Sequence, residues 1–213
     1  FHTGSAISGT TLSSFRSNSS GNFSSNFNRN SFLNRTNSVV GALVNSLGTV
    51  SRFQNGEISE VIIFNRNLSL AERRILNAYL SGKYSLPILT TFFSYSSTFS
   101  SEIFGIGQES DGSNTTAQGT GIIEISNASA LNDGDYLIIG HNGNDLTTTT
   151  SVGNTFSSNR FNRIWRVDVT NTPGDIDIMI DVSGNNFAVD PANDYKLLID
   201  NVAGAFDNAS IDR

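Results

Sequence analysis

The sequence predicts an all-β chain in two modules, interrupted by one short helix. Three observations carry this. Short runs of alternating apolar and polar residues recur along the chain, with Gly-marked turns between many of them. Only one stretch, residues 69–81, has helical spacing with start and stop signals. The charge also changes sign: residues 1–87 hold eight Lys or Arg and three Asp or Glu, whereas residues 88–213 hold five and sixteen. The hydrophobic period changes at the same place. The expected organisation is therefore a first module over 1–87, a linker or edge strand over 88–102, and a second module over 103–213.

Residues 1–50 are mostly Ser, Asn, Gly and Thr, and Phe15, Phe23, Phe27 and Phe32 recur every few residues. Together with an apolar cluster at 39–44, they read as inward anchors on short strands separated by polar loops. Asn55-Gly56 is a turn signal leading into residues 57–64. Here Ile58, Ile62 and Phe64 point one way and Val61 and Ile63 the other, which predicts a strand covered on both faces. Asn65-Arg66-Asn67 links it to the helix. Ser69 and Glu72 form a capping box, and Ile75, Leu76, Tyr79 and Leu80 form an apolar stripe. Gly82 supplies a left-handed stop and Pro87 closes the unit.

From residue 103 onward the chain reads as strand and turn. Strands are expected near 103–106, 121–126, 136–141, 163–170, 175–182 and 195–200. Asp111-Gly112, Asp133-Gly134, Asn142-Gly143, Pro173-Gly174 and Ser183-Gly184 mark the turns. Short strands with such turns and no helix predict an antiparallel β-sandwich. Period-2 patterning puts Ile123, Ile125, Leu137, Ile139, Trp165, Val167, Ile176, Ile178, Ile180 and either Leu197 or Leu198 in its core.

Composition excludes several function classes. The 213 residues include no Cys and only two His, His2 and His141. This rules out a disulfide scaffold and a Cys-ligated metal, and leaves little for a His-based zinc centre or a Ser-His-Asp triad. No apolar run reaches the ~18 residues of a membrane helix. The arginines of the basic half are scattered singly among Ser and Asn, so no stripe for nucleic acid exists. The 31 Ser, 18 Thr and 26 Asn make up about a third of the chain, which has only two Lys. That composition suits an exported protein. The chain opens on Phe1 and closes on Asp212-Arg213, as expected for a piece of a longer parent.

Residues 56–74 read GEISEVIIFNRNLSLAERR and residues 78–84 read AYLSGKY. This closely resembles the C-terminal part of laminin-G/concanavalin A-like jelly-roll domains of bacterial surface proteins, where a final strand precedes a short helix. The second half carries GIGQ at 105–108, GDYLIIGHNG at 134–143, NRIWRVD at 162–168 and YKLLID at 195–200. It resembles the β-sandwich that often follows this jelly roll in large secreted proteins of Bacteroidota. Gln108-Glu109 stands where relatives often carry Arg-Asp. The resemblance implies a partial jelly roll over 1–87, followed by the sandwich, in adhesin-like proteins exported by the type IX system to the cell surface.

Candidate chemistry is sparse. Jelly-roll glucanases place paired carboxylates at alternate strand positions, but Glu57 and Glu60 are three apart and fall on opposite faces. Asp175, Asp177 and Asp181 share one face, opposite Ile176, Ile178 and Ile180, and read as its solvated side. Trp165 shares a face with Val167 and Val169, which places it in the core rather than on a sugar platform. Asp133-Gly-Asp135 and Asn142-Gly-Asn-Asp145 gather hard oxygens that can hold calcium, at opposite ends of one strand. His141 ends that strand beside a turn and reads as a surface or hydrogen-bonded residue rather than a catalytic one. Lys196 lies in a strand, and sequons such as those at Asn34 and Asn67 are expected by chance in this composition.

No catalytic residue and no obligate cofactor is therefore expected, with calcium the one open possibility. The expected function is a non-catalytic structural or adhesive module of an extracellular surface protein. The alternatives are a carbohydrate-binding lectin module and an accessory domain of a secreted enzyme. Expected partners are neighbouring domains of the parent chain, other surface proteins and, for the lectin reading, glycans, with no nucleic acid and no membrane insertion. An incomplete jelly roll leaves open strand edges, so residues 1–50 are expected to be completed by a strand from outside the chain.

Overall fold

The computed structural model describes residues 2–6, 12–17, 23–26, 42–44, 49–53, 55–86, 92–119, 121–150, 159–183, 197–200 and 210–212. The chain divides into two units, Phe1–Leu68 and Ser69–Arg213.

In the first unit, β1 (His2–Ala6), β2 (Leu12–Ser17) and β3 (Phe23–Asn26) form an antiparallel sheet in that order. Phe15 and Phe23 occupy directly opposite positions in the ladder. Residues 27, 32 and 39–41, where the remaining anchors were expected, lie outside the described residues. A small ladder pairs β4 (Leu43–Val44) with β5 (Val50–Ser51).

The expected doubly covered strand at 57–64 is not present. Those residues carry no strand assignment, and Ile58, Val61, Ile62, Ile63 and Phe64 are all exposed, Ile63 by 80%. Alternating apolar residues make a segment competent to pair, but the ladder also needs a neighbour whose backbone groups are free. Among the described residues no ladder forms here.

The second unit opens with α1 (Leu70–Tyr84). The capping box at its start is formed: the Glu72 amide donates to Ser69 Oγ (3.2 Å) and the Ser69 amide donates to Glu72 Oε2 (2.8 Å). The helix runs through Gly82 and stops at Ser85, which takes the left-handed conformation (φ 52°, ψ 40°). Its amide donates to the Gly82 carbonyl and that of Leu86 to the Ser81 carbonyl, which satisfies two terminal acceptors. Gly82 is thus no stop signal. Instead it permits close packing: a Cβ there would lie 2.4 Å from the Ser100 carbonyl oxygen.

Among the described residues eleven strands follow. They are β6 (Ser101–Glu109), β7 (Gly112–Asn114), β8 (Ala117–Gly119), β9 (Ile123–Ser126), β10 (Tyr136–His141), β11 (Thr148–Thr150), β12 (Asn159–Phe161), β13 (Trp165–Thr170), β14 (Asp177–Ile180), β15 (Leu197–Ile199) and β16 (Ser210–Asp212). All six expected strand regions are occupied. One sheet has the order β13-β10-β6-β7 and the other β14-β9-β8, with separate ladders β11–β12 and β15–β16. Every pairing is antiparallel.

The described residues are all-β with one helix, and the second unit packs in three layers. Phe104, Ile106, Leu137 and Ile139 of the four-stranded sheet meet Ile122, Ile123 and Ile125 of the three-stranded one. On its other face the four-stranded sheet presents Ile103, Tyr136 and Ile138 to Ala71, Ala78 and Phe93. The helix therefore packs on the second unit, whereas the sequence reading grouped it with residues 1–87. Of the expected apolar stripe, Leu80 is buried and Ile75 packs half-buried against this core, while Leu76 and Tyr79 are half-buried; the small residues Ala71, Ala78 and Gly82 are buried beside them. Residues 92–100, expected as a linker or edge strand, belong to this core as well: Phe93 is fully buried, with Phe92, Tyr95 and Phe99 around it.

Of the expected sandwich core, Ile123, Ile125, Leu137 and Ile139 are buried, and Trp165 and Ile176 pack half-buried against them. Val167, Ile178, Ile180 and Leu197 are 40–46% exposed, and Leu198 is half-buried. The facing was read correctly, because Val167 lies opposite Ile139, and Ile178 and Ile180 lie opposite Ile125 and Ile123. Burial fails because β13 and β14 are the outermost strands of their sheets, and alternation alone does not distinguish a central from an edge position.

Two substitutions test this packing in urea melts. Ser69→Ala removes the cap and should cost ~1 kcal/mol. Gly140→Ala should cost more, toward the upper end of about 1–3 kcal/mol for overpacking, because its Cβ would lie 2.4 Å from the Phe99 carbonyl oxygen.

Candidate functional site

Strand β10 ends in a buried polar side chain at each extremity, and each must find partners. At one end Tyr136 is fully buried. Its hydroxyl donates to Glu109 Oε1 (2.7 Å), and Arg74 pairs with the same carboxylate oxygen. Phe92 stacks on the Tyr136 ring at 4.2 Å, and the Arg74 guanidinium lies 4.7 Å from the centre of Phe92. Burial pushes the Tyr136 phenol up to about 12, against the opposing pull of Arg74. The adjoining β6–β7 turn aims both carboxylate oxygens of Asp111 at the Leu70 amide (2.9 and 3.0 Å), with Arg73 3.6 Å away. An anion here meets the positive end of the helix dipole. This cluster ties helix to sheet.

At the other end His141 is 3% exposed. Its Nδ1 accepts from the Gly143 amide (3.0 Å), so the ring proton sits on Nε2, which is 3.0 Å from Glu102 Oε2. Arg163 approaches the same carboxylate oxygen at 3.7 Å. Glu102 has a positive φ of 47°, beside the irregularity in the β10–β6 ladder between Ile139 and His141. Such a bulge re-aims a side chain, here toward the histidine. With both ring nitrogens engaged, neither is presented to a substrate as a base. This agrees with the hydrogen-bonded reading of His141.

The adjoining loop is closed by short-range bonds. Asn142 Oδ1 accepts from the amides of Asn144 and Ile164, both at 3.2 Å. Asp145 Oδ1 accepts from the Thr147 hydroxyl (2.5 Å) and amide (3.3 Å), and these bonds hold its carboxyl below the usual range. At the far turn Asp135 is buried and accepts from the Asn132 amide, and Asp133 lies 3.5 Å from the Gln108 amide nitrogen. The two turns sit at opposite ends of β10, as expected. Among the described residues no group of three or more His, Asp or Glu converges as a metal site.

The remaining candidates are dispersed. Asp177 accepts from Asn127 Nδ2 (2.8 Å), and Asp181 accepts from the Ser183 amide; hydrogen bonding to the Ser183 side chain first, and to its amide second, lowers the Asp181 carboxyl. Asp175, Asp177 and Asp181 are exposed, which matches a solvated face. Trp165 packs edge-on to Phe161 with ring centres 6.2 Å apart, and borders the inter-sheet core rather than offering a flat platform to solvent. Glu57 and Glu60 are exposed, on a stretch with no strand. Lys196 and Asn34 lie outside the described residues. Sequence reasoning missed Glu102, Arg163, Arg74 and Glu109. The usable signal was Tyr136 itself, because a phenol placed in an apolar strand needs a hydrogen-bond partner.

Burial lowers the His141 pKa below its usual 6.5, with the Glu102 bond opposing. The unfolded chain then takes up a proton near pH 6.5 while the folded chain does so only at lower pH. Stability is full above that value and falls as pH drops from 6.5 toward the folded pKa. Urea midpoints at pH 7.5 and 5.5 should differ for the native chain, and the difference should shrink in His141→Gln.

A family model described as Domain of unknown function (DUF8202) matches residues 72–213, 142 of the 213 residues. Its start falls three residues inside the compact unit that opens at Ser69, so helix and sheets fall together in one family domain. No curated protein and no solved structure matches the chain. The chain belongs to the DUF8202 family.

Proposed function

We propose that this chain is a non-catalytic structural or adhesive module of a large extracellular surface protein. One observation carries the reading. Residues 53–64 display Phe53, Ile58, Val61, Ile62, Ile63 and Phe64 at 40–80% exposure, on a chain with only 15% charged residues. Apolar surface clustered in this way marks a protein-interaction segment. The alternating pattern suits addition to the sheet of a neighbouring domain, where backbone bonds hold the strand and alternate side chains fill pockets. The resemblance of residues 56–84 to the end of a laminin-G-like jelly roll supports the same reading, because there the part that matches residues 57–64 is the final sheet strand. The abundance of Ser, Thr and Asn fits a hydrated, exported protein.

The test compares the native chain with Ile62→Asp/Phe64→Asp. Beads coated with the native chain should be retained on protein-coated surfaces and the variant's beads several-fold less. The melt of the Ser69–Arg213 unit should move by no more than ~0.5 kcal/mol, as for other surface changes. Equal retention of the two would overturn the proposal. Saturable binding on a glycan array, competed by free sugar, would replace it with the lectin reading. An antibody against the chain should also label intact producer cells.

A further inference from the structure

Four turns of the sequence place Asn or Asp directly before Gly: Asn55-Gly56, Asp111-Gly112, Asp133-Gly134 and Asn142-Gly143. Such a pair reacts with itself when nothing holds it. Glycine has no side chain to shield its amide, so that nitrogen can close a ring on the preceding side-chain carbonyl. Closure needs a free amide and a side chain free to swing back over it. Three of the turns are held against this. The Gly143 amide donates to His141 Nδ1 (3.0 Å), and Asn142 Oδ1 accepts from the amides of Asn144 and Ile164 (both 3.2 Å). The Gly134 amide donates to the Gln108 carbonyl (2.9 Å). The Asp111 carboxylate accepts from the Leu70 amide, and Gly112 lies in the β6–β7 ladder opposite Glu109. Asn55-Gly56 differs: both residues are exposed and belong to no helix or strand.

We infer that Asn55-Gly56, and not Asn142-Gly143, is a site of spontaneous deamidation, and that the change weakens docking of the apolar segment around it. The Gly56 nitrogen, after giving its proton to hydroxide, attacks Asn55 Cγ. The new N–C bond closes a succinimide, the Cγ–Nδ2 bond breaks, and the side-chain nitrogen leaves as ammonia with a proton taken from water. Water then opens the ring at either carbonyl. The product is aspartate, or isoaspartate with the chain running through the former side chain. Both put a carboxylate between Phe53 and Ile58, among the displayed apolar residues, where docking would have to strip its water. Isoaspartate also adds a methylene to the backbone, which shifts the register of a strand that pairs across it. The effect on docking rests on the interaction reading above; the ring closure does not.

The test ages the full chain in mildly alkaline buffer, both folded and in guanidinium chloride, and reads isoaspartate at the two Asn-Gly pairs by peptide mapping. Folded Asn55 should react within about twofold of its unfolded rate, whereas folding should slow Asn142 at least about tenfold. Asn55→Gln, whose longer side chain closes its ring far more slowly, should gain no isoaspartate at that position. A folded Asn55 slowed as much as Asn142, or a folded Asn142 that reacts as fast as Asn55, would overturn the inference. On protein-coated surfaces, beads carrying fresh native chain and fresh Asn55→Gln should be retained alike. After ageing, the native chain should be retained several-fold less than aged Asn55→Gln. Equal retention of the two aged chains, with isoaspartate present at position 55, would overturn the effect on docking. Fresh native chain retained no better than Ile62→Asp/Phe64→Asp would instead sink the interaction reading and the docking effect with it, while the peptide map still decides the deamidation.

Discussion

Everything in the Ser69–Arg213 unit follows from burying β10 on both faces. All six residues of Tyr136–His141 are buried, so the strand cannot sit at a surface and needs a layer on each side. Leu137 and Ile139 face the three-stranded sheet, and Tyr136 and Ile138 face the helix and Phe93. Each fully buried aliphatic side chain contributes about 1.5–3 kcal/mol over exposure, and β6 and β13 take up the backbone groups on its two flanks. The polar residues at its ends then become obligations. A buried phenol and a buried imidazole each cost free energy unless bonded, and Glu109 and Glu102, from opposite ends of β6, meet them.

The two faces of the central sheet are packed by different means. Toward β9 the contact is made by Ile, Leu and Phe side chains. Toward α1 the helix contributes Ala71, Ile75, Ala78 and the buried Leu80, and Gly82 lets it approach the Ser100 carbonyl. On the sheet Gly105 and Gly107 make room for Ile138 and the Tyr136 ring, and Gly140 for Phe93 and the Phe99 carbonyl. The helix is therefore a fitted layer of this domain, and Asp111 from the β6–β7 turn caps it from the sheet.

Strand positions were legible in the sequence wherever alternation and turn residues coincided, as at Tyr136–His141, which the pattern located at both ends. The capping box at Ser69 and Glu72 was legible for the same reason, since it depends on residues three apart. What the sequence hid were properties set by distant partners. Gly82 reads as a stop because glycine usually is one, yet its role is fixed by Ser100, eighteen residues on. Phe92 and Phe93 sit in a Ser/Thr-rich stretch with no period, and only the sheet they cover makes them core. Glu57–Phe64 has the pattern of a strand, and pattern does not supply a partner. The surroundings of His141 were hidden because Glu102 and Arg163 are 39 and 22 residues away, with no local spacing to join them.

The edges of the four-stranded sheet show how this domain handles exposed strands. On one side β7 is only three residues long, and the Asn114 side chain returns to the Gly105 carbonyl at 2.7 Å. A short edge tied down by its own side chain offers little to a stray strand. On the other side β13 is six residues long, and its outward face is covered: Arg166 lies 4.0 Å over the Tyr95 ring and donates to its hydroxyl, and Asp168 accepts from the Ser94 amide. The polar face of β13 is thus sealed by the chain that follows α1, while its apolar face, Val167 and Val169, is the exposed one. An edge strand in water is normally arranged the other way round, polar side outward and apolar side covered. On the β13/β14 side the domain inverts that arrangement, with Val167 and Val169 exposed by 41% and 50%.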